Sequence, residues 1–425
     1  MQRIELTNAA ADIRLPPRTG NRVRLTGRIE GAQRQKDGAA LVLLALSNPL
    51  SPEVLQAHGI SVSPKFGPFV YIQARKEDAD RFALEFLVPD DTILTGLSAR
   101  LWNSGEPIIL SEFEVARSIV NPVAVDEVLV NVSVDVEALP HRATEGHVDK
   151  LIFGRIGGGA FGIPREIGVF RDLGVPATFY LELGEVALWG LEPLREAGQR
   201  IRDSGMDLQL HLHSEVFARA QHWPWTQPVP PMLHNLDAGQ TRRALSFAVE
   251  QYEKIAGSAP KAFRAGGYLF NAHTVEIASE LGVQGFSNYR ADQRPNNAYD
   301  FEGPAPMRPF RWRNGAFEFP VTLSPEPLSA LSPDECWRRI MHHVRVNKTW
   351  VVNIVIHSWS LMHRDAEGHH AYRNADLENN LRRMIEIAPP GVRFASMSEI
   401  IDFSAKNLGL FDLVKDVSAL QRRAA

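Results

Sequence analysis

The sequence holds a single cysteine, Cys336, in 425 residues, so it can form no internal disulfide and no thiolate cluster around zinc. It also lacks an excess of either charge. Forty-six Lys and Arg against fifty Asp and Glu give a net charge of −4, which is no electrostatic footprint for nucleic acid or an anionic membrane. Neither partner is expected. Long apolar runs are missing as well: stretches such as 40–46 fall far short of the roughly 20 residues a membrane helix needs. Residues 1–17, interrupted by Asp12 and Arg14, carry no apolar segment of signal-peptide length. The remaining composition, 44% hydrophobic and 23% charged, is that of an ordinary soluble chain with room for two or three domains. The cysteine usage favours a cytoplasmic location.

Residues 18 to about 122 read as strands and turns. Arg22-Val23-Arg24-Leu25-Thr26-Gly27 alternates, 40–46 is a buried run, and 69–72 and 82–88 follow. Turn chemistry stands at Asp37-Gly38, Pro89-Asp90-Asp91 and Asn103-Ser104-Gly105. This pattern predicts an all-β, sandwich-like domain over 1–122. Within it Phe69, Tyr71 and Trp102 are either core aromatics or a sugar-binding platform, their polar tips being the argument for the second.

From Pro122 the texture changes to strands alternating with amphipathic helices. In the unit 163–181, Pro164 sits in the first turn, Ile163, Ile167, Phe170 and Leu173 share a face, and Gly174 ends the helix before the strand Ala177-Thr178-Phe179-Tyr180-Leu181. The pattern recurs at 194–212, 241–264 and 274–287, and a further strand follows at 351–356. Arg311 to Phe319 reads as a hairpin with an Asn314-Gly315 turn. The expected fold class is therefore α/β, with a barrel domain over 123–425 and a final helix near 408–420.

Three apolar runs in this region end abruptly in ionisable side chains, as buried parallel strands do when they deliver chemistry to their C-terminal edge. The first, Val132-Ser133-Val134-Asp135-Val136-Glu137, puts two carboxylates on one side of a strand. They repel unless a cation sits beside them; a divalent metal would take one as ligand and leave the other as general base. The second, Leu208-Gln209-Leu210-His211-Leu212-His213-Ser214-Glu215, offers two imidazoles and a carboxylate, a donor set for zinc or a similar ion, which in a hydrolytic site needs only three protein ligands plus water. The third is Ile354-Val355-Ile356-His357. Before it, Phe263-Arg264-Ala265-Gly266-Gly267-Tyr268 presents a cation next to backbone that can approach a ligand closely.

This ordered set of segments resembles the polysaccharide deacetylase family, the NodB homology domain, over about residues 125–403. The resemblance implies a distorted, incomplete (β/α) barrel, a divalent metal, zinc by ligand type, and a carbohydrate or glycan-precursor substrate that loses acetyl groups, N-acetyl above all. By position it implies Asp135 as catalytic base, Glu137 and His211 as metal ligands, Arg264 as the residue that orients the base, His357 as general acid and Gly267 as the N–H donor to the oxyanion. The third ligand is His213, favoured by ligand type, or Glu215, which stands where the family places its second histidine. The chain departs from the pattern in two further places. Glu137 is longer than the usual aspartate and one position further on, and no acidic partner for His357 is evident, Glu318 being the candidate. Alternatives are a non-catalytic carbohydrate-binding protein on the same barrel and a hydrolase of another linear amide, such as a ureide.

Other features carry less. The glycines of 154–162 lack the lysine and hydroxyl of a phosphate loop. His222-Trp223-Pro224-Trp225 reads as an aromatic loop near the site, and His342-His343 and His369-His370 as solvated pairs.

Overall fold

A computed structural model describes residues 2–15, 22–30, 40–57, 60–72, 81–88, 92–102, 107–118, 127–220, 230–290, 299–300, 307–324, 328, 330–411, 414–415, 417 and 421–422. The aromatic loop at 222–225 and the three turns expected at 37–38, 89–91 and 103–105 lie outside these residues.

Two antiparallel sheets occupy the first 118 residues. One runs in the order Gln2–Leu6, Ile108–Ser118, Arg22–Glu30, Arg81–Leu87. The other runs Ala11–Ile13, Leu94–Leu101, Ala40–Leu46, Gly67–Ile72, Ser61–Ser63. Their apolar faces share one core, with Val23, Leu25, Phe86 and Leu110 from the first sheet and Val42, Ile72, Leu97 and Ala99 from the second. A short helix, Pro52–Ala57, interrupts the strands. Phe69 is buried and meets the half-exposed Tyr71 edge-on at 4.9 Å; Trp102 meets Phe66 edge-on. Edge-to-face packing of this kind is how aromatics fill a sheet surface, whereas a sugar platform needs a free ring face.

From residue 128 a mostly parallel sheet takes over. Its order is Val351–His357, Val128–Val136, Ala177–Glu182, Asp207–Leu212, Ala262–Ala265, Gly285–Phe286, Phe317–Glu318. Each of these neighbours pairs in parallel. The sheet curls until the chain after Phe317–Glu318 reaches its Val351–His357 edge at a bridge between Leu323 and Ile354, where Val355 N–H donates to Leu323 O. The helices between strands follow the expected pattern. Ile163–Asp172 begins with Pro164 in its first turn, and Gly174 follows its end at φ 65°. Ala238–Ala256 opens on a capping box between Asp237 and Gln240 and stops at Gly257 in the left-handed region. The hairpin is present as Phe310–Trp312 and Phe317–Glu318, with Gly315 at φ 99° in its turn.

The tail differs from expectation. A helix is expected near 408–420; among the described residues there, a 3-10 turn spans Leu408–Leu410 and the strand Val414–Lys415 adds to the edge of Phe310–Trp312. An open strand edge is a ready partner for a β-branched segment, and Phe411 between them packs on Phe317 and Trp350, at 5.0 and 5.4 Å. Among the described residues no helix is long and apolar enough to cross a membrane.

Candidate active site and metal centre

Parallel register is what gathers the ionisable residues. Asp135 pairs with His357 on one side and with Tyr180 on the other, Glu182 pairs with His211, and His211 pairs with Arg264. All of the sequence-derived candidates therefore lie at one rim, and Asp135 and Glu137, two apart, face the same side of it.

Glu137 stands at the centre of three imidazoles. Its Oε2 lies 2.8 Å from Nε2 of His213 and 3.5 Å from Nε2 of His211, and its Oε1 lies 3.8 Å from Nε2 of His357. The ligand atoms of Glu137, His211 and His213 all fall within 4.8 Å of one another. Glu215 is not part of this group and faces His141 at 3.9 Å instead. Burial works against charge on Glu137, but His213, His211 and His357 outweigh it and hold the carboxyl well below the usual range. Burial also opposes the His213 imidazolium, yet Glu137 beside it raises the His213 pKa.

Two observations test whether this group fits a metal. Nδ1 of His211 lies 2.8 Å from the carbonyl oxygen of Arg264. A carbonyl can only accept, so Nδ1 carries a proton and Nε2 is the ring nitrogen turned to Glu137. The carboxylate oxygen it faces, Oε2, is buried and accepts no hydrogen bond, although His213 is in range. Two imidazole nitrogens and a buried carboxylate oxygen converging on one point are the donor set of a cation site. In a tetrahedral zinc site, ligand atoms at about 2.0–2.2 Å from the ion are about 3.4 Å apart, and the observed 2.8 and 3.5 Å bracket that separation. The residues present fit a divalent ion with nitrogen and oxygen ligands.

Asp135 is held differently. Its Oδ1 receives Nη1 of Arg264 at 2.5 Å. The Arg264 guanidinium is fully buried; Nη2 donates to Ser133 Oγ at 2.8 Å and Ser287 Oγ at 3.1 Å, and the group lies 4.0 Å over the Tyr180 ring. Ser133 and Asn353, inside their strands, and Ser287, just after Gly285–Phe286, thus make a polar floor under the carboxylate. His357 stacks on Trp359, with centroids 4.7 Å apart and planes at 16°. Burial lowers its pKa despite Glu137 and Asp135 nearby, which favours the neutral ring.

Glycine is required next to the candidate metal ligands. A Cβ on Gly266 would sit 2.3 Å from Cγ of His213, so only glycine lets that ring lie against the backbone. Gly267 follows at φ 59° in the turn Gly266–Tyr268. Glu318 accepts from the N–H groups of Asn288 and Tyr289 and from Trp312 Nε1, and burial pushes its pKa up to about 8. Among the described residues it has no contact with His357. Nor is His370 solvated: it is buried against Trp359 at 5.6 Å, and burial, with Arg364 and Arg142, takes its pKa down to about 3.

Two residues that the motif reading passed over belong to the site. Glu182 accepts from the backbone N–H of His213 and from Gly184 N at 2.8 Å. Glu185 accepts Ala138 N on both oxygens, at 2.8 and 2.9 Å. Each carboxyl thereby fixes main chain at or beside a metal-ligand candidate. Both are fully buried; burial pushes them well above the usual carboxylate range, and Glu137 adds to the shift. The signal for Glu182 was available: the run Ala177 to Leu181 ends in an ionisable side chain, as the other three edges do.

No family model and no curated protein matches the chain. Solved structures similar to it include a candidate polysaccharide deacetylase from Mycobacterium smegmatis, at 19% identity over 68% of this chain and 95% of that one, with a TM-score of 0.44. A CE4 family pseudoenzyme from Bacillus anthracis is similar at 13% identity over 68% and 74% of the two chains, TM-score 0.36. The Xyl-CE4 domain of a multidomain xylanase from the hindgut metagenome of Trinervitermes trinervoides is similar at 14% over 69% and 99%, TM-score 0.35.

Proposed function

We propose that the protein is a metal-dependent hydrolase that removes acetyl groups, N-acetyl above all, from a carbohydrate or glycan precursor. The observation that carries this reading is the convergence of the His211 and His213 Nε2 atoms on the unpartnered Oε2 of Glu137, with the Asp135–Arg264 pair beside it. Such an ion, zinc by ligand type, would be held by Glu137, His211 and His213 and would supply a Lewis acid for an amide carbonyl and a water of near-neutral pKa.

The chain's own residues account for the rest. Asp135 accepts the proton of the attacking water, and Arg264 fixes the carboxylate so that one oxygen remains turned to the site. Glu137 cannot do this while it serves as a ligand, which is why two carboxylates on one strand face are needed. The Gly267 N–H is the donor to the oxyanion of the tetrahedral intermediate, in a turn whose positive φ exposes backbone. His357, protonated from solvent, gives that proton to the departing amine, which leaves poorly without one, and the proton that Asp135 took from the water returns to solvent as the products leave.

The test is acetate release from a panel of N-acetylated sugars by protein first stripped with chelator and then reloaded with zinc. Release that needs the added ion supports the reading. A reloaded protein that holds the ion yet releases acetate from none of them sinks it.

A further inference from the structure

Three of the site strands are followed by an arginine. Arg142 lies in the turn Pro140–Arg142 just after Glu137, Arg219 ends the helix Glu215–Arg219 just after His213, and Arg364 ends the strand Met362–Arg364 beyond His357. Elsewhere the chain spends its arginines on carboxylates: Arg165, Arg373 and Arg382 all converge on Glu378. The three at the rim make no ion pair with a described residue.

Arg142 is the best placed of them. Its guanidinium lies 4.2 Å over the Trp359 ring, and Trp359 in turn stacks on His357 at 4.7 Å. Two stacking steps thus link a fixed cation to the His357 ring at the site. The Arg142 Nε is buried without a hydrogen-bond partner. Burial lowers the Arg142 pKa; Glu137 opposes this, and Arg364 adds its like charge to the lowering. Of the two carboxylates that act on Arg142, Glu137 is turned to the three imidazoles and Glu215 faces His141. Guanidinium groups held together without an anion between them repel, and their planar forks match a carboxylate or a phosphate in two-point contact. A neutral sugar would leave that charge uncompensated.

We propose that the substrate is an anionic N-acylated sugar, carrying a carboxylate or a phosphate, and that Arg142, with Arg364 beside it, binds that anion. The position of the amide rests on the deacetylase reading; the anion site itself does not.

The experiment is calorimetric binding of three probes to the zinc-loaded full chain: N-acetylglucosamine, N-acetylglucosamine 1-phosphate and 2-acetamido-2-deoxyglucuronic acid. At least one anionic probe is expected to bind about tenfold or more tighter than the neutral sugar, with the margin shrinking as salt rises. Which of the two binds tells phosphate from carboxylate. Arg142→Gln should abolish the margin and Arg142→Lys keep part of it, and Arg364→Gln, on an exposed side chain, should reduce it without risk to folding. The proposal is overturned if neither anion binds, if the neutral sugar binds as tightly as both, or if the margin survives Arg142→Gln with Arg364→Gln. Zinc uptake measured on the same preparation separates the two readings. Arginine-dependent anion binding without zinc uptake leaves the anion site standing and removes the deacetylase, whereas zinc uptake without anion preference removes only the anion site.

Discussion

The carbonyl oxygen of Arg264 accepts the Nδ1–H of His211 at 2.8 Å, while the guanidinium of the same residue holds Asp135. One residue therefore sets the tautomer of a metal ligand through its backbone and the orientation of the base through its side chain. Because the two tasks use different atoms, they can be separated by mutation. Arg264→Lys is expected to lower the deacetylation rate by about tenfold or more through the loosened base and to leave zinc affinity within a few-fold of wild type. A parallel loss of both, measured by zinc titration alongside kcat, would mean that the ligand histidine depends on the side chain too.

Asp135 and Glu137 stand two apart on one strand face and should fail in different ways. Asp135→Asn is expected to keep the ion, since Glu137 and both histidines remain, and to cut the rate by about 10² to 10⁴, the span for a lost general base. Glu137→Gln is expected to weaken ion binding first. Full activity in Asp135→Asn would show that the base is misassigned.

Glu182 and Glu185 act through the backbone they hold. Glu182→Ala leaves the His213 N–H without its acceptor, and zinc affinity is expected to drop about 10- to 100-fold, as it does when an outer-shell partner is removed. Glu182→Gln retains an acceptor oxygen and should recover most of the affinity. Equal losses in both variants would argue that the charge, or its proton, matters more than the hydrogen bond.

Much of this arrangement was legible in the sequence, because strand periodicity and strand ends are local. Asp135, Glu137, His211, His213, Arg264 and His357 each sit where an apolar run stops, and parallel pairing brings such ends to one rim whatever the helices between them do. What was not legible depends on distance in the chain. The partners of Glu182 and Glu185 lie 31 and 47 residues away. The burial of His370 comes from Trp359, and the extra strand at Val414–Lys415 exists only because a distant hairpin leaves an edge open. The choice between His213 and Glu215 as third ligand also needed three dimensions. Spacing alone places both near His211, but Gly266 clears the space that the His213 ring fills.

Glu166 is fully buried, and neither of its carboxylate oxygens has a hydrogen-bond partner; burial raises its pKa well above 4.5. The folded state thus binds a proton that the unfolded chain gives up above about pH 4.5. Its stabilising contribution is full below that pH and is lost as pH rises toward the folded-state value. Glu166→Gln should therefore melt at a higher temperature than wild type at pH 8, with the difference shrinking toward pH 4.5. A difference that is constant across this range would mean that Glu166 is not the titrating group.

The buried cluster of the first two sheets is built from residues 6–113 and includes no residue from 128 onward. We therefore propose 1–122 and 123–425 as separate domains, and a chain beginning at Val123 should fold and keep most activity on small substrates. Loss of a cooperative melt in that shortened chain would show that the two parts stabilise each other.

The central claim is that Glu137, His211 and His213 hold a divalent ion, and direct zinc binding tests it most closely. Chelator-stripped wild type, titrated with zinc by equilibrium dialysis, is expected to take up one ion per chain at micromolar or lower free zinc, and His211→Ala is expected to lose that uptake while still melting cooperatively. A wild-type protein that takes up no zinc under these conditions, or an uptake that His211→Ala leaves intact, would contradict the account.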